Sequence, residues 1–119
     1  MTASPTLNPD AIQALRDLSP EGDGEFLREL IAIYLADTPK QLAQLAEALS
    51  RQDAALVMRA AHSIKGSSGN FGAQEFARLA GEMENHAKAN NLAAVSAALP
   101  EFNRCFDRVV AALRQLAAT

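Results

Sequence analysis

The chain has 119 residues, of which 49% are hydrophobic and 21% charged, a composition that fits one globular domain and excludes a disordered chain. Eleven Lys and Arg residues against 14 Asp and Glu residues give a net charge of −3, so we expect no nucleic-acid binding. The apolar runs are short and interrupted by charge, so we expect no membrane insertion. The single cysteine, Cys105, cannot form an internal disulfide, which favours a reducing compartment, and we expect a cytoplasmic protein.

Composition also predicts the fold class. Aromatic residues make up 5%, there is no Trp, and Ala is abundant while β-branched residues are few, which favours helices over strands. Residues 1–7 are small, polar and proline-containing, so we expect a flexible N-terminus followed by one domain over residues 8–117. A short helix should begin at Pro9, because Asn8 is a good N-cap and Asp10 complements the positive helix end.

The second segment should be one helix over residues 25–50, bent near Pro39, after a loop over residues 19–24. Its apolar spacing predicts two buried stripes, the first formed by Phe26, Leu30, Ile33 and Tyr34 and the second by Leu42, Leu45 and Leu49.

Three more amphipathic segments follow. One starts near Asp53 and ends in the glycine-containing stretch 67–72, one covers residues 73–90, and the last runs to Leu116, bent or restarted at Pro100. Four amphipathic helices with short connections bury their stripes most simply together. We therefore predict an all-α fold, an antiparallel up-down four-helix bundle with the short N-terminal helix across one end.

One histidine of the third segment lies opposite the apolar stripe. Because each helical residue turns by about 100°, His62 points about 160° away from Ala60 and Ile64, towards solvent. Residues three, four or seven positions away share its face, and these are Met58, Lys65, Gly66 and Gly69. A glycine inside a helix lowers stability by about 1 kcal/mol relative to Ala. The two glycines therefore indicate close approach of a bulky group, with helix fraying as the alternative, whereas Gly72 is a candidate helix end.

An exposed imidazole near an ammonium suits phosphoryl transfer. Neutral imidazole offers a nitrogen lone pair at neutral pH, and Lys65 would attract an anionic group and stabilise charge on phosphoryl oxygens. No Asp or Glu lies three or four positions from His62, so we expect no carboxylate from this helix to orient the ring. This favours a nucleophile over the general base of a hydrolase. We expect the other histidine, His86, to be a surface residue.

Residues 62–72, HSIKGSSGNFG, resemble the signature of histidine-containing phosphotransfer (HPt) domains, in which lysine and glycine follow a histidine at this spacing and a second glycine comes shortly after. Residues 79–84, LAGEME, are similar to the apolar-plus-glutamate pattern of the next helix in that family. The resemblance covers most of the chain. It implies a bundle that relays phosphoryl groups between aspartates of receiver domains in a multistep two-component phosphorelay.

By position, the resemblance implies that His62 is the phosphoacceptor, that Lys65 assists electrostatically, and that Gly66 and Gly69 give the partner access. We expect the partner-docking surface to include four further residues, Met58, Arg59, Ser63 and Asn70. The implied partners are response-regulator receiver domains and a hybrid sensor kinase. We expect Mg²⁺ in the receiver domain, no cofactor, metal or nucleotide site in this chain, no independent kinase activity, and a monomer.

Two alternatives stay open at this point. One is a helical-bundle adaptor that docks a receiver domain or a kinase without transferring phosphate. The other is a phosphoacceptor module that forms part of a larger chemotaxis-type kinase. An adaptor would not need His62, Lys65 and Gly66 together, so the intact set favours transfer.

Overall fold

The computed structural model describes residues 6–19 and 24–118. Within these ranges the chain forms five α-helices and no strand: α1 (Pro9–Asp17), α2 (Glu25–Ser50), α3 (Ala54–Gly69), α4 (Gln74–Lys88) and α5 (Leu92–Ala117). The all-α prediction is confirmed. Residues 1–5 of the predicted flexible segment and residues 20–23 of the predicted loop lie outside the described residues.

The four long helices close into a ring. The α3 helix packs against α2 and α4, and α5 packs against α4 and α2, while α1 packs on α2. Short polar side chains begin three of the helices, since Asn8, Asp53 and Asn91 each accept a hydrogen bond from a backbone N–H of the first turn. The predicted four-helix bundle with a short N-terminal helix is therefore confirmed.

The core is built from the apolar stripes of α3, α4 and α5 as their spacing predicts. Fully buried side chains from these helices include Val57, Ala61 and Ile64 of α3, Phe76, Ala80 and Met83 of α4, and Val95, Phe102, Val109 and Leu113 of α5. The rings of Phe76 and Phe102 stack with centroids 4.6 Å apart. This packing fixes the spacing of α4 and α5, and α4 in turn packs against α3.

The predicted first stripe of α2 was wrong at Phe26 and Ile33, whereas Tyr34 is buried and Leu30 is half-buried against the core as predicted. The buried side chains of α2 are Leu27, Ile31, Tyr34, Thr38, Leu45 and Ala48, whereas Phe26 is 36% and Ile33 is 58% exposed. Adjacent apolar pairs occupy positions 26–27, 30–31 and 33–34, so the pattern is consistent with either face. Packing against α3 and α5 selects the face that carries Leu27 and Ile31.

Two prolines lie inside continuous helices. Pro39 is within α2 and Pro100 is within α5, so the single-helix prediction for α2 is confirmed and a fresh helix start at Pro100 is wrong. Both prolines are exposed. On the solvent side of a helix, water can hydrogen-bond the carbonyl that a proline leaves without its usual partner.

The turn between α3 and α4 depends on Gly72. Its φ is +66°, a conformation that glycine adopts without steric cost, and its carbonyl accepts a hydrogen bond from the backbone N–H of Asn8 at 2.9 Å. A Cβ at this position would lie 2.4 Å from Asn8 Cβ. The glycine thus ends the segment that carries His62 and lets the start of α1 pack against the turn.

We expect Gly72→Ala to lower the free energy of unfolding by about 1–3 kcal/mol, because Ala would be strained at positive φ and would clash with Asn8. The matched control is Gly66→Ala. A Cβ at Gly66 has no heavy atom within 4 Å, so this change should raise stability by about 0.5–1 kcal/mol. Urea denaturation of both variants measures the two changes in unfolding free energy. Changes of the same sign would contradict the conclusion that the fold requires glycine at position 72 but not at position 66.

Candidate functional site

His62 lies on the solvent side of α3, as the helical spacing predicts. Its side chain is 67% exposed, while Ala61 and Ile64 beside it are fully buried in the bundle. The rigid core therefore fixes the helix beneath the ring, and the ring itself is open to a partner.

A carboxylate from the neighbouring helix orients this imidazole. The Nδ1 atom of His62 lies 3.0 Å from Oε2 of Glu84 on α4, and the Glu84 side chain is only 8% exposed. The sequence predicts no orienting carboxylate from the helix that carries His62, and the carboxylate indeed comes from α4. Spacing within α3 says nothing about residues across the α3–α4 interface. Glu84 belongs to the 79–84 pattern noted above, which was the one sequence signal for it.

The charge of Glu84 determines the tautomer of His62. A hydrogen bond from Lys65, and secondly one from His62, hold the pKa of the Glu84 carboxyl below its ordinary value, although burial acts in the opposite direction. The carboxylate is therefore ionised at neutral pH and can only accept a hydrogen bond. In neutral His62 the proton is thus assigned to Nδ1, and the lone pair to Nε2.

Lys65 is held beside the imidazole by the same carboxylate. Its Nζ donates to Oε1 of Glu84 at 2.8 Å, and its side chain is 41% exposed. Its carbon chain passes over α4 next to Gly81, where a Cβ would lie 3.4 Å from Lys65 Cδ. The absence of a side chain at Gly81 leaves room for this path.

A second lysine, which the sequence analysis did not single out, approaches the site from α4. The Nζ of Lys88 lies 3.7 Å from Oε2 of Glu84, one helical turn away, and its side chain is 57% exposed. The four-residue spacing between Glu84 and Lys88 is visible in the sequence. Its relevance to His62 appears only when α3 and α4 are packed together.

Gly66 and Gly69 form an open strip on the His62 face. Both are exposed, both lie within α3, and a Cβ at either would have no heavy atom within 4 Å. The packing around these positions therefore does not require glycine. In this respect they differ from Gly72, which the fold itself requires.

The structure places Met58, Arg59, Ser63 and Asn70 in three different surroundings. Arg59 and Ser63 are exposed and line a groove of about 380 Å³ between α2 and α3, and Asn70 is exposed at the C-cap of α3. Met58 is half-buried and packs against the core. Their roles in docking stay predictions.

The remaining candidates lie apart from this arrangement. His86 is half-buried near the end of α4, and Cys105 is buried in the core. Within residues 6–19 and 24–118, no group of three or more His, Cys, Asp or Glu side chains could hold a metal ion. No helix in the described part of the chain has the length and apolar character to cross a membrane.

The Glu84 contacts predict a pH dependence of stability. A carboxyl whose pKa is lowered on folding contributes stability that is present above its unfolded pKa, here near the ordinary 4.5, and is lost as the pH falls through the lower folded value. We therefore expect the difference in unfolding free energy between wild type and Glu84→Gln to narrow as the pH falls below 4.5. Urea denaturation of both proteins at a series of pH values measures this difference. A difference that stays constant with pH would contradict the conclusion that Glu84 is ionised and that its pKa is lowered on folding.

Comparisons with known proteins identify the family of this chain. The Hpt domain family model matches residues 29–118. The curated phosphorelay intermediate protein rdeA of Dictyostelium discoideum is 27% identical over 89 residues, which are 75% of this chain and 35% of that protein, so the chain spans about a third of that relative's length. The crystal structure of histidine-containing phosphotransfer protein B (HptB) from Pseudomonas aeruginosa PAO1 superposes with a TM-score of 0.88 at 27% identity, covering 98% of this chain and 97% of that one. The chain therefore belongs to the Hpt domain family.

Proposed function

We propose that this chain relays phosphoryl groups between aspartates of receiver domains through a phosphohistidine at His62. The observation that carries the proposal is the exposed imidazole whose Nδ1 is hydrogen-bonded to Glu84. This contact leaves Nε2 as the nucleophilic nitrogen on an accessible ring. Membership of the Hpt domain family supports the same chemistry.

The transfer step needs no deprotonation of the nucleophile. The Nε2 lone pair of His62 attacks the phosphorus of an aspartyl phosphate, so that the N–P bond forms as the O–P bond breaks and the aspartate carboxylate leaves with the bonding electron pair. The Nδ1 proton stays in place. The ring becomes positively charged, and the ionised Glu84 stabilises that charge through its hydrogen bond at 3.0 Å. The reverse step passes the group to the next aspartate.

Lys65 supplies positive charge near His62, since both side chains bind the same carboxylate. Its ammonium is held near His62 by Glu84, yet the side chain is partly exposed and flexible enough to turn towards a phosphoryl group. Charge develops on the phosphoryl oxygens during transfer. Lys65 is therefore the residue of this chain that stabilises those oxygens.

The partner supplies the remaining chemistry in this proposal. A receiver domain of a response regulator brings the aspartate and Mg²⁺, and a hybrid sensor kinase stands upstream. The domain works as a monomer in the cytoplasm, without a nucleotide or metal site of its own. The net charge of −3 is consistent with partners recognised through a local basic spot rather than a broad basic surface.

Replacement of the nucleophile is the direct test. We expect His62→Gln to accept no phosphoryl label from a phosphorylated receiver domain, because Gln has no nucleophilic ring nitrogen. Wild type should gain a ³¹P NMR signal of phosphohistidine that is lost in acid. The matched control is His86→Gln, which removes the second of the two histidines and should label at the wild-type rate. Labelling of His62→Gln at that rate would refute the proposal, and a wild-type chain that binds a receiver without labelling would favour an adaptor.

The open strip at Gly66 and Gly69 predicts that a side chain added there slows phosphoryl transfer from a protein donor but not from a small-molecule donor. We expect Gly66→Ala to slow transfer from a phosphorylated receiver domain by about tenfold or more, because an added methyl group keeps the two backbones apart and misplaces the reacting atoms. Labelling by phosphoramidate, a small donor that needs no docked protein, should proceed at the wild-type rate. If Gly66→Ala slowed labelling by both donors equally, glycine at this position would not be needed for close approach of the partner.

A further inference from the structure

Lys88 shares the oxygen of Glu84 that orients His62. Oε2 of Glu84 lies 3.0 Å from His62 Nδ1 and 3.7 Å from Lys88 Nζ, while Oε1 takes the hydrogen bond from Lys65 at 2.8 Å. A separation of 3.7 Å is an ion pair but is too long for a hydrogen bond. Lys88 is thus attracted to the carboxylate without being fixed on it.

The charges of these side chains sum differently before and after transfer. With neutral His62, the two ammoniums and one carboxylate leave a net charge of about +1, which attracts an anionic donor. After transfer the imidazole ring carries about +1 and the phosphoryl group about −2, so the sum becomes zero. Without Lys88 the phosphorylated site would carry a net negative charge. The phosphorylated site is therefore electroneutral only when Lys88 is present together with Lys65.

Lys65 faces a competition when the phosphoryl group arrives. It must weaken its 2.8 Å hydrogen bond to Glu84 in order to reach the phosphoryl oxygens. Glu84 is only 8% exposed. Its Oε2 stays paired with the charged ring of His62, but its Oε1 loses the hydrogen bond from Lys65, and a nearly buried carboxylate oxygen without a donor is destabilised. A second ammonium that closes from 3.7 Å to hydrogen-bond distance removes this penalty.

We propose that Lys88 is a positioning residue for the phosphorylated state: it replaces Lys65 as the hydrogen-bond donor to Glu84 and so frees Lys65 to bind the phosphoryl group on His62. The inference rests on the proposed phosphohistidine function. Lys88 acts through Glu84 and Lys65 and does not itself contact the reacting atoms. Its place one turn after Glu84 on α4 keeps it within reach of the carboxylate throughout.

The test compares Lys88→Gln, Lys65→Gln and the double variant with Lys40→Gln. Lys40 is the one other lysine of the chain and is exposed on α2, so it controls for the loss of one positive charge. Each protein is labelled with phosphoramidate, and transfer to a receiver domain and the ³¹P titration of the phosphohistidine are measured. The titration reports the cation at the phosphoryl group, which a purely structural role of Lys88 would not change.

We expect Lys88→Gln to slow transfer by about three- to tenfold and to raise the second pKa of the phosphoryl group towards its value in Lys65→Gln. Because Lys88 acts by releasing Lys65, the double variant should be no slower than Lys65→Gln alone. The urea midpoint of the unphosphorylated Lys88→Gln protein should stay within the range of surface substitutions.

Two outcomes would overturn the proposed exchange of Lys65 for Lys88 on Glu84, and a third would overturn the proposed function as well. One is a Lys88→Gln protein that transfers and titrates like Lys40→Gln. Another is a double variant whose loss equals the product of the two single losses, since Lys88 would then act independently of Lys65. A wild-type chain that takes no label at His62 would instead remove the proposed function, and this inference with it.

Discussion

One carboxylate, that of Glu84, gives the exposed face of this bundle its chemistry. It binds Nδ1 of His62 and Nζ of Lys65 across the α3–α4 interface. Without it, the surface imidazole would be free to rotate and to exchange its proton between the two ring nitrogens. With it, the ring has one tautomer and one orientation, and the ammonium of Lys65 is bound to the same carboxylate. In the proposed transfer, the nucleophile is therefore defined by a contact between helices rather than by the helix that carries it.

The bundle core places this carboxylate at the boundary between protein and solvent. Glu84 adjoins the buried stripe of α4, next to Met83 and one turn from Ala80, so its side chain is nearly buried while its partners reach it from outside. Two partners, His62 and Lys65, are considerably more exposed than the carboxylate. Low exposure strengthens the hydrogen bonds of Glu84, and high exposure keeps Nε2 of His62 accessible. The proposed transfer therefore needs a nearly buried carboxylate together with an exposed imidazole, since a buried imidazole could not reach a partner's aspartate.

Sequence patterns predicted the parts of this structure that depend on a single helix. The three- and four-residue spacing of α3, α4 and α5 has one apolar face, so their buried stripes and the exposure of His62 followed from periodicity. In α2 the paired apolar residues left two faces possible, and tertiary packing buried Leu27 and Ile31 where the spacing had suggested Phe26 and Ile33. The contact between Glu84 and His62 could not be predicted from the sequence for a related reason. The 79–84 pattern holds two glutamates, of which Glu82 pairs with Arg78 on its own helix, and only the rotation of α4 against α3 shows which one meets His62.

The HSIKGSSGNFG run mixes residues that the fold requires with residues that it does not. Gly72 has a positive φ and no room for a Cβ, and Ser68 is fully buried with its hydroxyl 2.7 Å from that of Tyr34; both would be selected for stability alone. Gly66 has open space around it and a helical backbone that Ala would stabilise. Its glycine therefore has a cost to the isolated chain and no compensation within the described residues. In the proposed function, the compensation is the close approach of a receiver domain to α3 beside His62.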